Sequence, residues 1–194
     1  MFYLLVVTQS RFTTNFTTNS PQQLAPSCRI LPRCQPIHTF HKSPKSLAKQ
    51  GICRSTLSES VFTHKVNTLG LENMFVIDSA ATSREEIGNP PHRGTVNKLR
   101  ELGIPLVPHR ARQVTLDDYD KFDYIIGMDT ANIRNLNRML KHDPEGKIYK
   151  LLSFAGSGRD IADPWYTGDF DETYRDVEEG SEGFLNYLRE KGEI

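Results

Sequence analysis

Two short segments carry side chains whose types and spacing suit chemistry on an anion. Ile52-Cys53-Arg54-Ser55 stands immediately before a helical pattern, and a helix N-terminus presents unpaired N–H groups and partial positive charge. Asp163-Pro164-Trp165-Tyr166-Thr167-Gly168-Asp169-Phe170 sets a carboxylate before a proline-fixed turn and beside two aromatic rings. Taken alone, each also fits a plainer role: a solvated arginine at a helix start, and an ordinary turn anchored by a tryptophan.

The elements that must hold these segments alternate between helix and strand. Leu57, Val61 and Val66 line one face of a helix that Gly70 ends, and Met74 to Ile77 is an apolar run of strand length. Val96, Leu99 and Leu102 mark a second helix closed by Gly103, followed by an expected strand around Arg110 to Val114. Thr115 to Asp118 has the capping-box form that opens a short helix. Asp123 to Met128 is the strongest strand pattern, Ile133, Leu136 and Leu140 line the next helix, and Ile148 to Leu152 is a further strand candidate. A last helix falls within Phe170 to Lys191, with Tyr174, Val177, Phe184 and Leu188 inward. Short buried strands alternating with helices imply an α/β fold, a parallel, doubly wound sheet with helices on both faces.

The first fifty residues read differently. No Asp or Glu precedes Glu59, whereas Arg11, Arg29, Arg33, Lys42, Lys45 and Lys49 do. Thr8 to Gln50 has no sustained apolar period, so residues 1–50 are expected to be a disordered or foreign N-terminal segment and 51–194 the domain. Lys plus Arg and Asp plus Glu each total 24, which gives no electrostatic sign of a nucleic-acid partner or a membrane surface. Three cysteines without a ligand spacing argue against a metal site, and Phe2 to Val7 is too short to span a bilayer. A soluble, cytoplasmic protein is the expectation.

Together with Asp78-Ser79-Ala80-Ala81-Thr82-Ser83, Gly88-Asn89-Pro90-Pro91, His109-Arg110-Ala111-Arg112-Gln113 and Met128-Asp129, the two segments resemble the low molecular weight protein tyrosine phosphatases in order and spacing. The resemblance implies a four-stranded parallel sheet of flavodoxin-like order, no cofactor and no metal, and phosphotyrosine proteins or small aryl phosphates as partners. It implies a phosphate loop of form C-x5-R-S, of which Gly51, Ile52, Cys53, Arg54 and Ser55 are the second half. Arg54 matches the phosphate-binding arginine and Asp163 the general acid. Ser79 and His109 match residues that brace the loop, and Trp165 and Tyr166 match pocket walls. Glu85 stands at a mouth position where many relatives carry an aromatic residue.

Each role has a physical reason. A guanidinium matches the equatorial oxygens on which charge accumulates in phosphoryl transfer. A phenolate leaves poorly unless an acid protonates it as the bond breaks. The attacking group must be a thiolate, and this is where the chain departs from the pattern. Six residues before Arg54 stands Ala48, whose methyl group cannot form a covalent intermediate.

Two further departures accompany it. The loop asparagine is Gly51, and Lys42 to Ser46 is charged and proline-broken where a central strand should precede the loop. That strand is therefore missing or replaced, and Phe2 to Val7 is the upstream run with the character to fill its place. Arsenate reductases of this fold need redox cysteines downstream, and no Cys follows Cys53. Ile52, where phosphoarginine phosphatases tend to have Thr, favours an aryl phosphate. Two readings stay open: a tyrosine phosphatase that is inactive as this chain stands, or a non-catalytic phosphate-binding module.

Overall fold

The computed structural model describes residues 3–9 and 53–194, the former as backbone. Ala48, Gly51 and Ile52 lie outside the described residues. Helix α1 (Arg54–Thr68) leads to β2 (Phe75–Ala81), α2 (Arg93–Glu101) and α3 (Leu116–Lys121). β3 (Tyr124–Gly127), α4 (Thr130–Met139), β4 (Ile148–Lys150), α5 (Pro164–Thr167) and α6 (Phe170–Glu190) follow, and β1 (Tyr3–Gln9) precedes them all.

The sheet runs in the order β2-β1-β3-β4. The apolar run near the N-terminus does fill the central slot. Its direction differs from the parallel expectation: β1 is antiparallel to both neighbours, Tyr3 facing Ala81 and Gln9 facing Phe75 on one side, Leu4 facing Gly127 on the other. β3 and β4 are parallel, so β2, β3 and β4 share one direction and the strand between them is reversed. An apolar run carries no mark of direction, because alternation reads the same from either end.

Helices cover both faces, as the alternation requires. Ile125 and Ile126, adjacent on β3, send side chains into different cores: Ile126 joins Leu57, Phe62, Leu99, Val177 and Phe184, while Ile125 joins Tyr119, Phe122, Leu136 and Leu140. Gly70 and Gly103 end their helical segments with φ of 71° and 68°, which an L side chain rarely adopts. The capping box at α3 is complete, with Thr115 and Asp118 bonding reciprocally.

Two strand expectations need correction. Arg110 to Val114 makes one parallel bridge, Ala81 to Gln113, because the segment meets only the last residue of β2. β4 stops at Lys150 and turns into a 3-10 segment, Leu151–Ala155. Helix α6 lies on that segment so closely that a Cβ at Gly183 would stand 2.6 Å from the Phe154 carbonyl carbon and oxygen. Among the described residues no helix is long and apolar enough to cross a membrane.

Two measurements check this architecture. Gly183→Ala should destabilise the domain by about 1–3 kcal/mol in a denaturant melt, because overpacking against backbone outweighs the roughly 1 kcal/mol of helix propensity gained. Val6→Pro should lower the melting temperature sharply, since proline removes a ladder donor from a central strand. A melt unchanged by Val6→Pro, with unprotected amides in Leu4 to Val7, would remove β1 from the sheet.

Candidate active site

Helix α1 begins where β2 and β3 end, and its first residues are buried. The Cys53 carbonyl accepts from Leu57 N at 3.2 Å and from Thr95 Oγ1 of α2 at 3.1 Å, which fixes the helix start against its neighbour. Arg54 follows, with 2% of its surface exposed. Its Nη1 donates to the Ile161 carbonyl at 2.6 Å, and its Nη2 lies 2.9 Å from Asp129 Oδ2 and 3.5 Å from Asp163 Oδ2. Its Nε is buried and has no partner among the described residues.

Both carboxylates are aimed by helix caps. Asp129 follows β3 and caps α4, its Oδ1 accepting from Asn132 N at 2.6 Å. Asp163 caps α5, its Oδ1 accepting from Trp165 N at 3.0 Å. In each case one oxygen is held by a cap and the other faces Arg54.

These groups line a crevice of about 410 Å³, together with Ala131, Asp160, Ile161 and Tyr166. Asp160 is tied to the wall by Thr130 N and Lys150 Nζ at 2.9 and 2.7 Å. Burial alone would raise its carboxyl, but the Lys150 ammonium and the Thr130 donors hold it below the usual range.

Cys53, the residue beside Arg54, is 1% exposed, and burial pushes its thiol up to about 12. The negative charge of Asp163 pushes in the same direction, and the Arg54 cation opposes it. Such a thiol stays protonated at neutral pH and is no nucleophile. Ser55 is buried in the first turn of α1.

Ser79 and His109 come together around a third residue, Glu59 of α1. Ser79 Oγ donates to Glu59 Oε2 at 2.7 Å and lies 3.4 Å from His109 Nε2, while His109 Nδ1 is 3.3 Å from Glu59 Oε2. Asp78 offers a further ligand-type atom nearby. Arg112 already holds Asp78 through Nε and Nη2 at 3.1 and 2.8 Å, so the cluster is a hydrogen-bond network tying α1 to β2.

The three expected pocket residues separate. Tyr166, 71% exposed, lines the crevice. Trp165 instead turns its ring edge-on to His92, 5.6 Å between centroids. Glu85 is exposed, and the buried acid is its neighbour Glu86, which accepts from Asn89 Nδ2 at 2.6 Å. Residue order does not distinguish these outcomes, since neighbouring side chains such as Trp165 and Tyr166 in α5 point in different directions.

Sequence reasoning assigned no role to Asp129 or Glu59. Asp129 had a readable signal, an aspartate directly after the strongest strand and before a helix. Glu59 had none, because an acid on a helix reads as solvated until the helix is seen to be buried there.

The arrangement places a buried guanidinium at a helix start in an α/β domain, with two helix-capping carboxylates beside it on one crevice. A family model described as low molecular weight phosphotyrosine protein phosphatase matches residues 47–193. The low molecular weight protein-tyrosine-phosphatase YfkJ of Bacillus subtilis is 38% identical over 145 residues, covering 74% of this chain and 93% of that protein. Its crystal structure superposes with a TM-score of 0.69 at 39% identity, over 73% of this chain and 91% of that one. A low molecular weight phosphotyrosine protein phosphatase of Schizosaccharomyces pombe is 36% identical, over 71% of this chain and 90% of its own. The chain belongs to the low molecular weight phosphotyrosine protein phosphatase family.

A thiol with a pKa of about 12 is ionised to about one part in ten thousand at pH 8. Cys53 in the native protein should therefore escape alkylation by iodoacetamide at pH 8 under conditions that label it fully in urea, as read by peptide mass mapping. Native-state labelling at the unfolded rate would show that the thiol is neither buried nor raised.

Proposed function

We infer that this chain is a phosphotyrosine phosphatase domain that binds aryl phosphates, free or on proteins, but does not hydrolyse them through a phosphocysteine. The observation that carries this reading is Arg54, a buried guanidinium at a helix start whose Nε has no partner among the described residues, beside Asp163 on one open crevice. No metal or organic cofactor enters the proposed chemistry.

The steps follow from the geometry. Asp129 is the nearer carboxylate and holds Arg54 in place, while Asp163, at 3.5 Å, is the looser partner that an incoming phosphoryl group replaces. Nη2 and Nε then face two phosphoryl oxygens as paired donors. The displaced Asp163 carboxyl, still capped by Trp165 N, stands beside the bridging oxygen as the proton donor for a phenolate. Tyr166 offers an aryl face at the mouth.

Attack on phosphorus is the missing step. Ala48 occupies the position six residues before Arg54, and the neighbouring Cys53 is held protonated by burial. Binding groups without a nucleophile favour retention of a phosphorylated partner, and the reaction named for the relatives would need a thiolate at residue 48. The cytoplasm, where phosphotyrosine is made, suits either role.

The test has two parts. Phenyl phosphate should bind in a calorimetric titration, and Arg54→Met should weaken it by at least about tenfold, the loss of one to two charge-assisted hydrogen bonds. p-Nitrophenyl phosphate should not be turned over, with or without Cys53→Ser. Turnover abolished by Cys53→Ser would make Cys53 the nucleophile and overturn the proposal, as would the absence of phenyl phosphate binding.

A further inference from the structure

The loop carrying Asp163 is pinned at its near end by Arg54, and its far end meets a part of the molecule with no place in the phosphoryl site. Phe170, the first residue of α6, stacks on the His92 ring with centroids 5.7 Å apart and planes 3° from parallel. Trp165, two residues after Asp163, meets the same ring edge-on at 86°. One imidazole thus touches the loop on both sides of its turn at Gly168, whose φ is 72°.

That imidazole is itself fixed. His92 is the N-cap of α2, and its Nδ1 accepts from Gly94 N at 3.1 Å, so ring orientation is set by the helix start. Gly94 is the surface against which Phe170 lies, and a methyl group there would overlap the Phe170 ring. One turn further along α2, the largely buried Lys98 pairs with Asp171 in the first turn of α6, and with Glu101 at 2.9 Å. Aromatic contact, close approach and ion pair all join the start of α6 to α2.

We propose that His92 is a positioning residue for Asp163: locked as the cap of α2, its ring holds Trp165 and Phe170 and so determines where the Asp163 carboxylate stands over the anion crevice. The proposal rests on the reading of Asp163 as the group that faces a bound phosphoryl oxygen. His92 does not line the crevice and acts through the two aromatic residues. Its two functions are separable, since the cap needs an acceptor atom and the loop contact needs a flat ring.

Trp165 is the chain's single tryptophan, so its emission reports this loop alone. The full-length protein and its His92→Asn, His92→Phe and Gly94→Ala variants are compared by acrylamide quenching of Trp165, thermal melting and phenyl phosphate titration. His92→Asn keeps the cap and loses the ring. It should melt near the parent temperature, show clearly greater quenching, and bind phenyl phosphate about 2- to 10-fold more weakly, the range set by aromatic contacts of this kind. His92→Phe should melt lower for want of the cap, yet restore quenching and binding towards parent values. Gly94→Ala improves helix propensity but dislodges Phe170, so it should quench like His92→Asn without resembling a simple destabilised variant.

Quenching that follows melting temperature instead of the ring, or an Asn variant with parent quenching and affinity, would overturn the proposal. Should the parent fail to bind phenyl phosphate, the phosphate-binding reading falls. The quenching contrast between the Asn and Phe variants still decides the role of His92.

Discussion

Burying a guanidinium is costly unless opposite charge and hydrogen-bond acceptors surround it, and Arg54 is almost fully buried. Its partners come from two segments distant from it in sequence: Asp129 after β3, and the Ile161 carbonyl with Asp163 just ahead of α5. The start of α1, the end of β3 and the acid loop are thereby coupled electrostatically. Each aspartate also caps a helix, so one of its oxygens is held by the cap while the other faces Arg54. The geometry suited to an anion is thus also the geometry that neutralises the arginine when no anion is bound.

The reversed central strand makes this coupling more consequential. In the family pattern the first strand runs straight into the phosphate loop, so the strand end positions the loop. Here Gln9, the end of β1, lies opposite Phe75, at the edge of the sheet away from the crevice, and the chain returns to Cys53 only after residues 10–52. Among the described residues, Arg54 is positioned by lateral contacts, the ion pairs and the Thr95 bond to the Cys53 carbonyl.

The same separation extends to the acid. Asp163 is oriented at one end by Arg54 and its own cap, and at the other by the α2 start through His92, Gly94 and Lys98. Ser79, His109 and Glu59 secure α1 to β2 on another side. Asp163 and the start of α1 are thus held in part by contacts outside the crevice.

Much of this was legible in the residues themselves. Most of the helix and strand order, the covering of both sheet faces and the capping box at Thr115 follow from periodicity and capping chemistry, and the family resemblance implied that Arg54 and Asp163 share one crevice. These properties are local, or are repeated often enough along the chain to survive ignorance of the fold. That residue 48 is an alanine is a matter of sequence alone, since no folding can make a thiolate of a methyl group. Tertiary structure decided the rest. Alternation does not encode strand direction, so the reversal of β1 was invisible. Burial decides whether an acid is solvated or structural, so Glu59 and Asp129 acquired roles only once α1 and α4 were packed. Adjacent aromatics do not declare which ring faces a crevice: in the fold Trp165 packs on His92 and Tyr166 lines the crevice. Residue types fixed what chemistry was available to this chain, and long-range packing selected among the geometries those types allow, because contact between distant segments is a property of the folded chain that no local pattern carries.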